Sequence, residues 1–484
     1  MQEYGGSAAE TATLNSERLN RDGRKFFQYV TTIIVGLTFL QTGITLGWTS
    51  PVLPYLMSEE SFISVTSEQS SWIGSLLQIG AMAGATPAGK ISDVIGRRPA
   101  ILMFSILFLV SWSLLIFGNS LWYVYLARFL GGVGSGAISV SATMYIGEIA
   151  EPSVRGGLAS FFGIFMATGN VLAYGIGAYL SYTSFAISGA ALILLFFILS
   201  PFLTESPVWL VQQGRYEEAK KPLLILRGTH YDIGAEIALL QEQLTVRKSR
   251  NGNSMDLLGT VRGRKALMVA SGLMVFQQFS GIDAVVSYTV TIFQLAGSTI
   301  DPFTATIMVG LTEVSMAVLG SRIIDRFGRR PLLIISGLGI ATCFVSLGYY
   351  FRLKSSGDDV SSIGWIPLAS LSLYVIAYAI GYGMVPYVMY GELFPVETKG
   401  VASSFSVVIN WLLAATVTKL FPSMISNVGE AGTFFSFGIM MMLATLFAIV
   451  AVPETRGKSL QQIQDELSGE KESIPLRMMN GVQQ

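Results

Sequence analysis

Charged residues are scarce in this chain. Asp, Glu, Lys and Arg make up 13% of the 484 residues, whereas an ordinary soluble protein has about 25%. The two signs balance to a net charge of zero, and no basic stripe interrupts the apolar segments, so we expect no nucleic-acid partner. Hydrophobic residues make up 51% of the chain and there are 51 glycines, a composition that favours an all-α membrane protein.

Cysteine and histidine are almost absent. The single cysteine, Cys343, excludes an intramolecular disulfide, and the single histidine, His230, lies in a polar stretch. The sequence shows no pairing of a nucleophile with a base and no cluster of metal ligands. It therefore predicts neither an enzyme nor a bound metal or cofactor. The first 25 residues are polar, so we expect no cleavable signal peptide.

Long apolar segments dominate instead. A membrane-spanning helix needs about 20 mostly apolar residues, and twelve segments meet this requirement. They lie near residues 28–56, 70–88, 99–118, 121–146, 157–181, 184–203, 265–294, 302–322, 331–352, 364–390, 401–423 and 431–452. The predicted parts of the chain are a tail at 1–27, a six-helix bundle at 28–204, a polar linker domain with short amphipathic helices at 205–262, a second six-helix bundle at 263–452 and a tail at 453–484.

The distribution of Lys and Arg predicts how the chain crosses the membrane. Basic residues concentrate in segments that stay in the cytoplasm, and none occurs between Lys25 and Lys90. They precede the first span, follow the second, recur through 205–262 and separate the eighth span from the ninth. We therefore expect a multi-pass protein of the cell membrane with both termini in the cytoplasm, which requires an even number of spans.

Three short motifs occur once in each half of the chain, in the same order. Gly-Arg-Arg-Pro at 96–99 recurs at 328–331. Glu148 followed by Arg155 recurs as Glu392 followed by Lys399, and Glu205 recurs as Glu454. Two parallel repeats of six helices are the organisation of the major facilitator fold, in which the substrate site lies between the repeats at the midplane.

The repeated motifs place acids and bases together at cytoplasmic helix ends. Arginine makes forked contacts with carboxylates, and glycine permits a tight turn between helices. We expect two clusters that hold helices together while the molecule is open to the outside and separate when it opens inward. The alternative is that these charges only anchor helix ends at the membrane surface. The cluster residues are Asp93, Arg97, Arg98, Glu148, Arg155 and Glu205, and in the second half Asp325, Arg329, Arg330, Glu392, Lys399 and Glu454.

Further motifs carry a resemblance to a known family. They are Glu-Ser-Pro at 205–207, Gln-Gln-Phe-Ser-Gly-Ile at 277–282, Asn-Trp at 410–411 and Pro-Glu-Thr-Arg-Gly at 453–457, beside the two Gly-Arg-Arg motifs. Over residues 28–468 the chain resembles the sugar porter family of the major facilitator superfamily. The segments 47–51 and 296–301 look like those of the insect facilitated trehalose and glucose transporters, which are related to the mammalian class III glucose transporters. The resemblance implies twelve transmembrane helices in two six-helix halves and the transport of a sugar.

A sugar site needs amides and aromatic faces in a cleft of low dielectric, because hydroxyls both donate and accept hydrogen bonds. The resemblance implies sugar contacts at Gln277, Gln278, Asn410 and Trp411. Tyr387 stands where the family's tenth helix has a tryptophan. The site therefore combines positions that match the family pattern with a position that departs from it.

Other departures alter the pocket. Gly163 replaces a glutamine of the fifth helix and would enlarge the cavity. Asp283 and Glu313 replace asparagines and add acidity. The cluster residues keep the family pattern while the pocket does not, so the choice among glucose, fructose and trehalose stays open.

A carboxylate inside a membrane is a candidate functional group, and Asp283 and Glu313 allow three interpretations. Either could bind a proton and couple it to transport, accept hydrogen bonds from sugar hydroxyls, or face a water-filled vestibule. The first helix lacks the Asp that proton-linked sugar porters typically carry, so we favour facilitated diffusion over proton symport. A non-transporting sugar sensor is a third hypothesis. The expected partners are a small-molecule sugar and the lipid bilayer, with the chain functional as a monomer.

Overall fold

The computed structural model describes residues 23–249, 260–298, 300–324, 327–394, 396–458, 462, 463 and 466, and the regular structure in these residues is helical. The N half contains α1 (Phe26–Gly47), α2 (Thr49–Leu56), α3 (Ser67–Ile95), α4 (Arg97–Phe117), α5 (Leu121–Ile149), α6 (Arg155–Ala159), α7 (Phe161–Tyr179) and α8 (Tyr182–Leu199). The linker contains α9 (Pro207–Gln212), α10 (Tyr216–Arg227) and α11 (Ile233–Ser249). The C half contains α12 (Val261–Phe279), α13 (Ile282–Ala296), α14 (Pro302–Ile324), α15 (Arg329–Ser355), α16 (Ile366–Ile380), α17 (Val385–Leu393) and α18 (Val396–Val450).

Ten segments of the described chain are long and apolar enough to cross a membrane. One of them, Phe405–Val450, holds two spans, because Gly429 breaks α18 with a φ of 82°. Helix α3 occupies the position of the second predicted span, although its Gly, Ser and Gln content keeps it out of the ten. Helices thus lie at all twelve predicted positions, which is consistent with twelve spans.

Glycines let helices of the N half approach each other closely. On α3, Gly80 and Gly84 face backbone of α5, and Gly132 and Gly136 of α5 face backbone of α3, so closely that a Cβ at any of them would collide with a carbonyl group. Small residues at helix contacts allow this close approach in membranes, where packing rather than hydrophobic burial holds helices together. The α3–α5 pair therefore forms a rigid part of the N half.

Linker helices pack against each other and against the N half. Trp209, Leu223 and Ile237 belong to a small apolar core formed by α9, α10 and α11. Arg227 at the end of α10 donates to the carbonyl oxygen of Ile149 at 2.8 Å and pairs with Glu236 at 2.9 Å. These contacts place the linker at one end of the bundle, called here the linker end; the opposite end is called the far end.

Candidate functional site

A break in the seventh span positions the central polar residues. Helix α12 ends at Phe279 and α13 begins at Ile282, and between them Gly281 adopts a φ of 77°. Gln277 and Gln278 lie in the last turn of α12, and Asp283 lies in the first turn of α13. The positive end of a helix dipole favours a carboxylate there. The break therefore brings two amides and an acid together within seven residues.

Two of the predicted sugar contacts meet directly. Asn410 Nδ2 donates to Gln277 Oε1 at 2.8 Å, and Gln277 Nε2 donates to the Tyr382 carbonyl oxygen at 2.9 Å. Both amides are buried. The Tyr387 side chain lies beside Gln277 and is 55% exposed, so part of its surface is open. This network fixes the orientation of the Gln277 amide.

The two acids face amides of the N half. Asn170 Nδ2 of α7 donates to Glu313 Oε1 at 3.1 Å and to Glu313 Oε2 at 3.3 Å. The Asp283 carboxylate faces the side-chain amides of Gln78 on α3 and Gln278 on α12. Both acids are half-buried. The polar site is therefore built from both halves of the molecule.

Several polar atoms in this region have no hydrogen-bond partner among the residues that the structure describes. They are both amide atoms of Gln78, Oδ1 of Asn170 and Oε1 of Gln278, and each belongs to a buried side chain. Buried polar groups in native structures are nearly always hydrogen-bonded, because an unpaired group has lost its water without compensation. Such a cluster is suited to bind a solute that carries several hydroxyl groups.

Gln78 and Asn170 were missed by the sequence reasoning. Each is an amide in an otherwise apolar or small-residue stretch, a signal that marks a buried polar group but not the direction in which it points. Only the fold shows that they face acids of the C half. Trp411 is half-buried and, because neighbouring helix positions project about 100° apart, does not share the direction of Asn410. Apart from its chain neighbours and the backbone of its own helix, no described atom lies within 4 Å of a Cβ placed on Gly163, consistent with the enlarged cavity expected there.

Arg128 is a buried base in α5 whose described partners are neutral. Its guanidinium donates to the carbonyl oxygens of Thr45 at 2.6 Å and Ile73 at 3.2 Å, and to Thr49 Oγ1 at 2.5 Å. It also lies 4.9 Å from the centroid of the Trp48 ring. A buried charge is tolerated when hydrogen bonds satisfy it, so Arg128 is held by α1, α2 and α3 with no acidic partner among these contacts.

The first charge cluster lies at the linker end of the N half. Arg97 pairs with Glu148 at 2.8 Å and with Asp93 at 2.7 Å. The backbone N–H groups of Arg97 and Arg98 donate to Glu205 Oε1 at 3.0 and 3.2 Å, so Glu205 caps the N-terminus of α4. Arg98 and Arg155 do not join the acids through their side chains; these donate to the carbonyl oxygens of Ser200 and Ala150.

The second cluster repeats the first in the C half. Arg329 pairs with Glu392 at 2.9 Å, and the backbone N–H groups of Arg329 and Arg330 donate to Glu454 at 3.0 and 3.1 Å. Burial alone would raise the pKa of Glu454, but backbone N–H groups of Arg456, Arg329 and Arg330 outweigh this effect and hold that pKa below its usual value. Asp325 and the Lys399 side chain lie outside the described residues.

The two halves contact each other at the far end. Ser50 Oγ on α2 accepts from the Val290 N–H of α13 at 3.1 Å. Lys419 Nζ of α18 donates to Ser71 Oγ at 2.7 Å and lies 4.4 Å from the centroid of the Trp72 ring. The sequence predicts that the charge clusters separate when the molecule opens inward. In this structure the described pairs Arg97–Glu148 and Arg329–Glu392 are formed while the far end is closed, and each pair lies within one half.

The chain matches known proteins along most of its length. The family model described as "Sugar (and other) transporter" matches residues 27–467. The facilitated trehalose transporter Tret1 of Polypedilum vanderplanki is 36% identical over 446 residues, which cover 92% of this chain and 88% of that protein. The inward-open conformation of the xylose transporter XylE from E. coli has a TM-score of 0.76 and 26% identity, and the match covers 91% of this chain and 99% of XylE.

A second XylE structure, described as a proton:xylose symporter of the major facilitator superfamily bound to 6-bromo-6-deoxy-D-glucose, has a TM-score of 0.72 and 26% identity, and the match covers 91% of this chain and 99% of XylE. The helical fold shared with XylE and the matching family model define a membrane transport protein with the major facilitator fold. The chain belongs to the family of sugar transporters whose model it matches. It is a transporter and not an enzyme.

Proposed function

We propose that this chain carries a hexose or trehalose across the cell membrane by facilitated diffusion, as a monomer with both termini in the cytoplasm. The observation that carries the proposal is the set of buried amides and half-buried carboxylates contributed by both halves, with several polar atoms left unpaired among the described residues. Sugar hydroxyls donate to carboxylates and accept from amides, so one solute satisfies both. The family's trehalose transporters support this class of substrate.

Sugar contacts are proposed on both sides of the break. Gln277, Gln278 and Asn410 supply amides. Tyr387 supplies an open aromatic edge with a hydroxyl, and Asp283 and Glu313 accept hydrogen bonds. Trp411 is proposed as a stacking face that is used when α18 moves during the transport cycle. Because one chain supplies all these groups from its two halves, the site needs no second subunit.

The transport cycle is alternating access between the halves. The linker end is taken as the cytoplasmic end, since the basic residues concentrate there. Closure at the far end through Ser50, Lys419 and Trp72 then corresponds to an inward-facing state. In this state each charge cluster holds its own half together as a rigid body. We propose that the outward-facing state is reached when the two cluster regions meet and the far-end contacts open.

Absence of proton coupling is proposed because Arg128 is satisfied by neutral groups. Arg128 is held by Thr45, Thr49 and Ile73. None of these partners is an acid whose protonation could alter the contacts of Arg128. Proton symport remains the second candidate, since Asp283 and Glu313 are carboxylates within the span region whose described contacts are amides.

Uptake of labelled glucose and labelled trehalose into oocytes that express the protein tests this function. Saturable uptake of at least one sugar is expected, unchanged by a protonophore or by acid outside. Uptake that collapses with the protonophore would instead establish symport and assign the proton to Asp283 or Glu313. Water-injected oocytes and surface labelling are the controls. Uptake of neither sugar by protein at the surface would contradict the proposed substrate class.

A further inference from the structure

Gln78 is a buried amide whose atoms make no hydrogen bond of normal length and angle with the described residues, although the Asp283 carboxylate lies beside it. The residue is fully buried in the middle of α3, and in the described part of the chain neither its Nε2 nor its Oε1 has a hydrogen-bond partner. Buried amides with a structural role are satisfied elsewhere in this molecule. Gln28 donates to the Leu226 carbonyl oxygen at 3.3 Å and accepts from the Glu151 N–H at 2.9 Å. Gln78 lacks such anchors, because Asp283 lies beside it without forming a hydrogen bond of normal length and angle.

The groups around Gln78 are complementary to neighbouring hydroxyls. Gln78 faces the Asp283 carboxylate, which also faces Gln278, whose Oε1 is unpaired as well. A carboxylate only accepts hydrogen bonds, whereas each amide offers two N–H donors and one acceptor. A hydroxyl between them can donate to Asp283 and accept from an amide N–H. Two adjacent hydroxyls of a pyranose ring match an arrangement of amide, carboxylate and amide.

The position of Gln78 gives this contact a role in the transport cycle. Gln78 belongs to the N half on α3, while Asp283 and Gln278 belong to the C half on either side of the helix break. A diol held by all three would join the halves. A ligand shifts a conformational equilibrium only through contacts that differ between the states, and a contact made from both halves meets that requirement.

We propose that Gln78 is a substrate-contacting residue that, together with Asp283, binds a pair of adjacent sugar hydroxyls and thereby selects among sugars. This inference rests on the sugar transport proposed above and adds a contact from α3 that the sequence motifs do not mark. The apolar replacement of matched length is Gln78→Met. Ser111→Ala is the control, because it removes a buried hydrogen bond of the N half to the Ala127 carbonyl oxygen, away from Asp283.

The test measures how strongly glucose and its 2-, 3-, 4- and 6-deoxy analogues inhibit the uptake of a labelled sugar. The labelled sugar is whichever one the wild type carries. With Gln78→Met, the half-inhibitory concentration of glucose should rise about tenfold, the effect of leaving one buried polar contact unmade. One deoxy analogue, which lacks the hydroxyl bound by Gln78, should inhibit uptake by the wild type only weakly. Its half-inhibitory concentration should not rise further in Gln78→Met. In Asp283→Asn, the analogue whose half-inhibitory concentration does not rise should lack the same hydroxyl or the neighbouring one. Ser111→Ala should give the half-inhibitory concentrations of the wild type.

The inference would be overturned if the half-inhibitory concentrations in Gln78→Met were unchanged for every analogue, or if they rose equally for all of them. If Gln78→Met does not reach the surface, Gln78→Asn provides the second variant. It keeps the amide and shortens its reach, and sugar protection of the purified protein against thermal unfolding gives the readout. If every sugar protected Gln78→Asn as well as it protects the wild type, the proposed contact would again be overturned. Failure of the wild type to carry or bind any sugar would show that the proposed function itself is wrong.

Discussion

Gln277 and Asn410 lie 133 residues apart in the chain, yet their amides meet at 2.8 Å. The family motifs implied that both contact sugar, and the structure shows a shared network in which the Tyr382 carbonyl orients Gln277. Gln278 differs, because its Oε1 is buried and unpaired while its amide faces Asp283. Of the two amides of the seventh span, Gln278 therefore has the greater hydrogen-bonding capacity left for a ligand.

Replacing Gln278 by alanine tests this difference. Gln278→Ala should weaken apparent sugar affinity about tenfold, since the loss of one buried hydrogen-bonding contact costs about 1–3 kcal/mol. Surface abundance should stay near that of the wild type, because no protein partner of Oε1 is lost. The measurement is the concentration dependence of sugar uptake together with surface labelling. Gln28→Ala is the control, expected to lower abundance without changing affinity. Wild-type affinity in Gln278→Ala would remove this residue from the site.

Residue roles were predictable where a motif names them and not where the partner comes from elsewhere in the chain. The motif at 277–282 placed two amides in the seventh span. Nothing in the sequence pairs Asn170 with Glu313, since they lie 143 residues apart on helices of different halves. Gln78 was equally silent, because a single amide in a helix carries no sign of what it faces.

At the scale of the helix, the N-termini of α4 and α15 are capped in the same way. In each half a glycine precedes two arginines, and a distant glutamate caps the backbone N–H groups of both: Glu205 caps α4 and Glu454 caps α15. The repeated motifs predicted that these residues share a function. The sequence could not show which group each carboxylate contacts, and it is the helix N-terminus rather than an arginine side chain that Glu205 and Glu454 bind.

Gly96 is the position where this arrangement is most sensitive. Its φ of 103° is one that side chains rarely adopt, and a Cβ would collide with the Glu205 carboxylate. Gly96→Ala should lower stability by about 1–3 kcal/mol from backbone strain alone, with the collision added. The matched control is Gly214→Ala, which also has a positive φ of 74° but open space around it. Thermal unfolding of the detergent-purified variants should give a clearly lower Tm for Gly96→Ala, and equal Tm values would contradict the cap.

At the scale of the whole molecule, the apolar segments predicted helices at positions where the structure has them, and the repeated motifs predicted two halves. The pattern could not predict which end of the molecule is closed. That depends on contacts such as the one between Ser71 and Lys419, which lie 348 residues apart. Which end is closed depends on the balance between the contacts at the two ends of the molecule. Sequence periodicity predicts neither set of contacts.

The proposed transport cycle exposes one site to each side of the membrane in turn, and the sugar gradient alone drives net transport. The most direct measurement is counterflow in proteoliposomes that contain the purified protein, loaded with unlabelled sugar and diluted into a trace of labelled sugar with no pH difference. Facilitated alternating access predicts transient accumulation of labelled glucose or trehalose above its external concentration, with Gln278→Ala requiring a higher internal sugar concentration. Absence of accumulation for both sugars, or accumulation only when a proton gradient is imposed, would contradict it.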